Sequence, residues 1–116
     1  MNRFGGKVYM DMKILTQPEL NIMNVLWSSE GLFLSDIVKQ LPEPRSAYAT
    51  ICTVVRTLVD KGYITYNVYG RCNQYTAAVS KNEYRLYYAS LIKKNLFEDS
   101  EYKMISFILK YRDENK

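Results

Sequence analysis

The chain has 116 residues, enough for one domain with a single core and a short appended element, and 16 Lys and Arg against 12 Asp and Glu give it a net charge of +4. It has no histidine and two cysteines, Cys52 and Cys72, so it offers no Ser-His-Asp or Cys-His catalytic set and no zinc-ligand spacing. With no glycine loop to cradle a phosphate and no visible acid pair, the composition points away from an enzyme and from any metal or cofactor.

Residues 1–14 read as an N-terminal arm, frayed or forming a short strand, poorly patterned around Gly5-Gly6. The arm lacks the apolar stretch of a secretory signal, and no run in the chain approaches a membrane span. No membrane insertion is therefore expected, and the two cysteines read as reduced thiols of a cytoplasmic protein. The first helix opens at Thr16, where Thr16-Gln17-Pro18-Glu19 is a capping box with proline tolerated in the first turn. Leu20, Met23 and Trp27 form one stripe and Ile22, Val25 and Leu26 widen it, which predicts a sandwiched helix with Trp27 in the core. Ser28 to Gly31 reads as a turn, and Leu32-Phe33-Leu34 as a short strand that joins a later hairpin as its third member. Ser35 or a neighbour then opens a helix from Asp36 to Leu41, ended by Pro42 in the stiff turn Pro42-Glu43-Pro44.

The stretch from Arg45 to Tyr75 organises the rest. It reads as one helix followed directly by a two-stranded hairpin. At 100° per residue Ile51, Val54, Val55 and Leu58 share one side of the helix, while Ser46, Ala49, Thr50, Thr53, Arg56, Thr57 and Asp60 share the other. That second face is small, rich in hydroxyls and lightly charged, unlike an ordinary solvated face. Such side chains allow close approach to another surface and can bond phosphates or base edges. Gly62 stops the helix behind Lys61, and two strands flank a turn at Tyr69-Gly70-Arg71. A short helix, a tight turn, a longer helix and a hairpin with a basic tip form the order of a winged helix-turn-helix. Arg45, Arg56, Lys61 and Arg71 against Asp60 place most of the net charge on this stretch, which suits specific binding to double-stranded DNA. Phosphate contacts are expected from Arg45, Arg56, Lys61 and Arg71, and base contacts from Ala49, Thr50 and Thr53.

After the hairpin, Ser80-Lys81-Asn82-Glu83 is a second capping box. Tyr84, Tyr87, Tyr88, Leu91 and Ile92 then recur at the spacing of an amphipathic helix, and Asp99 or Ser100 caps a last helix whose Ile105, Ile108 and Leu109 share a face. A chain of this length has little core left for that final stripe, so pairing with a second copy is the expectation. The fold class expected is α+β, mainly α: a winged helix over residues 15–79, followed by a helical dimerisation region over 80–116. A second reading keeps the same fold for protein association alone, with the Tyr84 to Ile92 face as its working surface.

Leu15-Thr16-x-x-Glu19-x-x-Ile22-Met23-x-x-Leu26-Trp27 resembles the opening signature of the penicillinase-repressor family. Tyr48-x-Thr50-Ile51-x-Thr53 and Leu58-x-x-Lys61-Gly62-Tyr63-Ile64 resemble its recognition helix and exit, and Gly70-Arg71, Gln74-Tyr75 and Val79-Ser80-Lys81-x-Glu83-Tyr84 its wing and next helix. The resemblance implies a homodimeric repressor on palindromic operators, relieved when a membrane metalloprotease sensor causes cleavage in the dimerisation region, here near Ser106 and Phe107. The family often has a basic residue at the place of Ala49 and arginine near Thr57, so Arg56 and Arg71 must supply more of the charge in this chain. The paired Cys-x-Cys of copper-responsive relatives is missing, which disfavours copper sensing.

Overall fold

The computed structural model describes residues 13–115, so the expected arm lies outside the described residues except for Lys13 and Ile14. Helix α1 spans Gln17–Trp27 and starts at the expected capping box: the Thr16 hydroxyl accepts from the Glu19 amide at 3.4 Å, and the Glu19 carboxylate accepts from the Thr16 amide at 2.9 Å. The face it buries is rotated from the expected stripe. Glu19, Ile22, Met23 and Leu26 are buried, whereas Leu20, Val25 and Trp27 are only half-buried, so the helix is covered on one side rather than sandwiched. Trp27 sits at the edge of the core and donates its indole N–H to the Val79 carbonyl at 2.9 Å, which ties the end of α1 to the segment leaving the sheet.

Strand β1 (Leu32–Phe33) runs directly into helix α2 (Leu34–Gln40). Ser35 does not cap this helix. The helix begins one residue earlier, with Phe33 at the N-cap position and no side chain accepting there, because the β1 pairing fixes the chain up to Phe33. Ile37 is fully buried from α2. Helix α3 spans Tyr48–Asp60 and buries Ile51, Val55 and Leu58, with Val54 half-buried beside them. It ends in a Schellman pattern: the Tyr63 amide donates to the Leu58 carbonyl at 2.9 Å and the Gly62 amide to that of Val59 at 3.0 Å. Gly62 has φ +84°, a conformation side chains rarely adopt, and this sharp exit aims the next strand away from the helix.

Strands β2 (Ile64–Tyr69) and β3 (Cys72–Ala77) pair from Ile64↔Ala77 to Tyr69↔Cys72, which leaves Gly70-Arg71 as a two-residue turn. Gly70 has φ +63° while Arg71 is not left-handed, the pattern of a type II′ hairpin turn. β1 adds to the outside of β3 through Leu32↔Tyr75 and Phe33↔Gln74, so the antiparallel order is β1-β3-β2 and the expected third strand forms from Leu32-Phe33, with Leu34 already in α2. Ile64 alone of β2 is buried, and the rest of that strand projects as a wing. Three helices and a three-stranded sheet carrying an exposed hairpin make this a winged helix.

The chain divides into two compact units between Lys81 and Asn82. The second contains most of helix α4 (Lys81–Leu96) and all of helix α5 (Glu101–Glu114). Between them Glu98 and Asp99 are both left-handed, the Lys93 ammonium lies 3.6 Å from Asp99, and the Ser100 hydroxyl caps α5 by accepting from the Lys103 amide at 3.1 Å. Phe97 and Phe107 bring their rings to 5.6 Å across the turn. Since Leu58 is fully buried on α3, Leu58→Ala should cost about 2–5 kcal/mol of unfolding free energy in a denaturant titration.

Candidate nucleic-acid interface

The outward side of α3 is what the sequence pattern predicts. Ala49, Thr50, Thr53, Arg56 and Asp60 are exposed and Thr57 is half-buried, while Arg45 and Ser46 precede the first turn of the helix. Thr53 donates its hydroxyl proton to the Ala49 carbonyl at 3.1 Å and Thr57 to that of Thr53 at 3.0 Å. With the proton committed to the helix, each hydroxyl keeps lone pairs that can accept.

The four expected phosphate cations divide into two pairs. Arg45 turns back on the end of α2: its guanidinium donates to the Lys39 carbonyl at 2.7 Å and the Leu41 carbonyl at 3.1 Å, and it lies 3.2 Å from the Glu43 carboxylate. It closes the last carbonyls of α2 and stiffens the turn into α3. Lys61 reaches the Glu19 carboxylate at 2.7 Å, and Glu19 is only 5% exposed. Both cations thus have partners within the fold. Arg56, on α3, and Arg71, at the wing tip, make no hydrogen bond or ion pair among the described residues and are exposed.

Glu19 is the site residue that sequence reasoning placed only as a cap. Burial pushes its carboxyl pKa up, but the hydrogen bond from Lys61, those from Thr16 and the charge of Lys61 outweigh burial, and the pKa lies below the ordinary carboxylate value. The pair joins the first turn of α1 to the end of α3 across 42 residues of sequence, a separation no local pattern reveals.

The expected dimerisation residues also divide. Tyr84 is buried, with its ring 5.8 Å from that of Tyr88, so it serves the chain's own packing. Tyr87 and Leu91 are half-buried, and Tyr88 and Ile92 are exposed. The apolar residues of α4 do not keep to one stripe, since Leu86, on the opposite side from Tyr84, is 60% exposed. On α5, Ile105, Ile108 and Leu109 are all exposed, together with Tyr102. Ser106 and Phe107 lie inside α5, with the Phe107 ring stacked 6.2 Å from Tyr111.

A family model described as penicillinase repressor matches residues 15–116. The chain belongs to the penicillinase repressor family. Among solved structures, it is similar to the solution structure of the DNA-binding domain of the repressor BlaI, with a TM-score of 0.55 and 26% identity, over 63% of this chain and 94% of that one. No curated protein sequence matches the chain. No helix among the described residues is long and apolar enough to cross a membrane, and no cluster of potential metal ligands occurs among them.

Replacing Glu19 by Gln leaves the Lys61 cation without its counter-charge and should destabilise the fold by about 1–3 kcal/mol at neutral pH. Because the folded pKa of Glu19 is depressed, its contribution is present above the unfolded carboxylate value and is lost as pH falls through the folded one. Urea unfolding from neutral to acidic pH should therefore show the wild-type advantage over Glu19→Gln shrinking on the acid side of pH 4.5.

Proposed function

We propose that this chain is a DNA-binding transcriptional repressor that acts as a homodimer on a palindromic operator, without catalysis or cofactor. The observation that carries the reading is the outward face of α3: exposed alanine and threonines beside Arg56, with Arg71 on the adjoining wing, both arginines without a partner among the described residues. Membership of a repressor family and similarity to a repressor's DNA-binding domain support it. In this reading α3 enters the major groove, Ala49, Thr50 and Thr53 meet base edges, Ser46 and Thr57 flank them, and Arg56 and Arg71 neutralise phosphates. Arg45 and Lys61 act behind the surface and hold α3 in place.

The winged helix is the DNA-binding part and the helices after it are the dimerisation region. The partner surface is the face of α5 bearing Ile105, Ile108 and Leu109, with Tyr88 and Ile92 of α4 as a secondary patch. Those α5 side chains are each roughly half exposed, and joining two copies would remove them from water. Relief of repression would follow cleavage near Ser106-Phe107 by a membrane metalloprotease sensor in the same cytoplasmic compartment. Both residues are helical, so the cut requires α5 to open locally first. Loss of the segment after Ser106 would weaken the dimer and leave the reading face of α3 unchanged.

Thr53→Val keeps the shape of the face and removes its acceptor, so it should cost about 1–3 kcal/mol on the operator and little on random DNA. Arg71→Ala should weaken binding to both alike and reduce the salt slope by about one contact. Titrations of both duplexes with both variants test the assignment, and unchanged operator affinity in both would overturn it. For assembly, the double variant Ile105→Glu with Leu109→Glu should sediment as a folded monomer at concentrations where the wild type is dimeric. A variant that stays dimeric would move the interface off α5.

A further inference from the structure

A crevice of about 320 Å³ runs between α3 and the sheet. One wall is the wing-side flank of α3, with Val55, Val59 and Arg56, and the other is the sheet face bearing Tyr66, Asn73 and Tyr75. This flank adjoins the threonine face but is distinct from it, since Cys52 and Arg56 stand between the reading residues and the core. We propose that the crevice seats the sugar–phosphate backbone of one DNA strand, and that Asn73, with the hydroxyl of Tyr66, is a backbone-contact residue in addition to Arg56. The inference rests on the DNA-binding reading above and adds to it the path of one strand between helix and wing.

The chemistry of the walls supports a phosphodiester occupant. Arg56 has no partner among the described residues. The Asn73 amide nitrogen gives one long bond, 3.4 Å, to the Tyr75 hydroxyl and keeps a second N–H to donate. Tyr66 is 44% exposed, and its hydroxyl makes no hydrogen bond among the described residues. Three donors of different reach therefore converge on one trench, which is what phosphate oxygens require. Between them Val59 and the rings of Tyr66 and Tyr75, whose centroids are 5.9 Å apart, offer apolar surface that suits deoxyribose. The crevice also holds one carboxylate, Asp60, but it is the last residue of α3, one turn beyond Arg56 and at the opposite end from the residues that meet base edges in a helix-turn-helix. Asn73 is set one pair in from the turn, opposite Val68, so the wing carries it beside the reading helix.

The test uses the full chain and a duplex that the wild type selects from a random library. Asn73→Ala should weaken binding about three- to tenfold on selected and random duplexes alike, with the salt slope unchanged because no cation is removed. Arg56→Ala should weaken binding and lower that slope by about one contact. Tyr66→Phe keeps the ring and should still lose affinity, which guards against a folding defect in Asn73→Ala; thermal melts of each variant provide the control. Scanning the duplex with single methylphosphonates then locates the contacts. The phosphate whose neutralisation no longer matters to Asn73→Ala should be the same as, or next to, the one lost by Arg56→Ala, on one strand. Wild-type affinity in both Asn73→Ala and Tyr66→Phe, or contacts on opposite strands, would overturn the crevice assignment while leaving DNA binding intact. A wild type that selects no duplex would overturn both.

Discussion

The ion pair between Lys61 and Glu19 is the contact on which the rest of the arrangement depends. Glu19 is almost fully buried, so its charge is tolerated only because the Thr16 amide, the Thr16 hydroxyl and the Lys61 ammonium compensate it. Those groups belong to the start of α1 and the end of α3, two points that the sequence separates widely. One carboxylate thus completes the cap of the first helix and ties it to the end of α3. Lys61 then passes directly into Gly62, whose left-handed backbone turns the chain into the wing. The cap of α1, the end of α3 and the start of the wing share one junction.

The turn between α2 and α3 has its own fastening. Arg45, expected from the sequence to contact phosphate, takes two carbonyls at the end of α2 and the Glu43 carboxylate. The fold therefore spends two of its four cations in this region on orientation and leaves two for solvent. This division has a physical basis. Arg45 and Lys61 lie at helix ends, where unpaired carbonyls and a buried carboxylate are within reach, whereas Arg56 lies mid-helix, where the backbone carbonyls are already bonded, and Arg71 lies at a turn tip.

Much of the architecture was legible because it rests on local rules. Thr16-x-x-Glu19 marks a helix start, Lys61-Gly62 marks an end, and Gly70-Arg71 between alternating strands marks a hairpin; each follows from backbone chemistry within a few residues. The third strand was legible from Leu32-Phe33-Leu34 even at two paired residues. What failed was the fine phase of packing. The buried line of α1 runs through Glu19 and Ile22 rather than Leu20 and Trp27, because a carboxylate with three donors can face inward while a large indole with one distant acceptor sits at the rim. The cap of α2 failed for a related reason: pairing of Phe33 with Gln74 sets where the strand stops, and the helix starts there regardless of Ser35. For the surface itself, the hydroxyl face of α3 could be read from spacing, but the commitment of Arg45 and Lys61 could not: Glu19 lies 42 residues from Lys61, and Arg45 bonds backbone carbonyls of Lys39 and Leu41, which no side-chain pattern marks. On α4, tyrosine spacing suggested an open stripe, yet Tyr84 is buried and Leu86 faces outward on the other side.

On the proposed reading, the charge on α3 and the wing that has no partner among the described residues meets nucleic acid. The most direct measurement is the dependence of binding on salt for the full chain with its selected duplex and with random DNA. Arg56 and Arg71 from each of two protomers would neutralise four phosphates, so the plot of log affinity against log salt should fall with a slope of about −3.6, with the selected duplex bound more tightly throughout. A slope near zero, or equal affinity for both duplexes, would contradict the account.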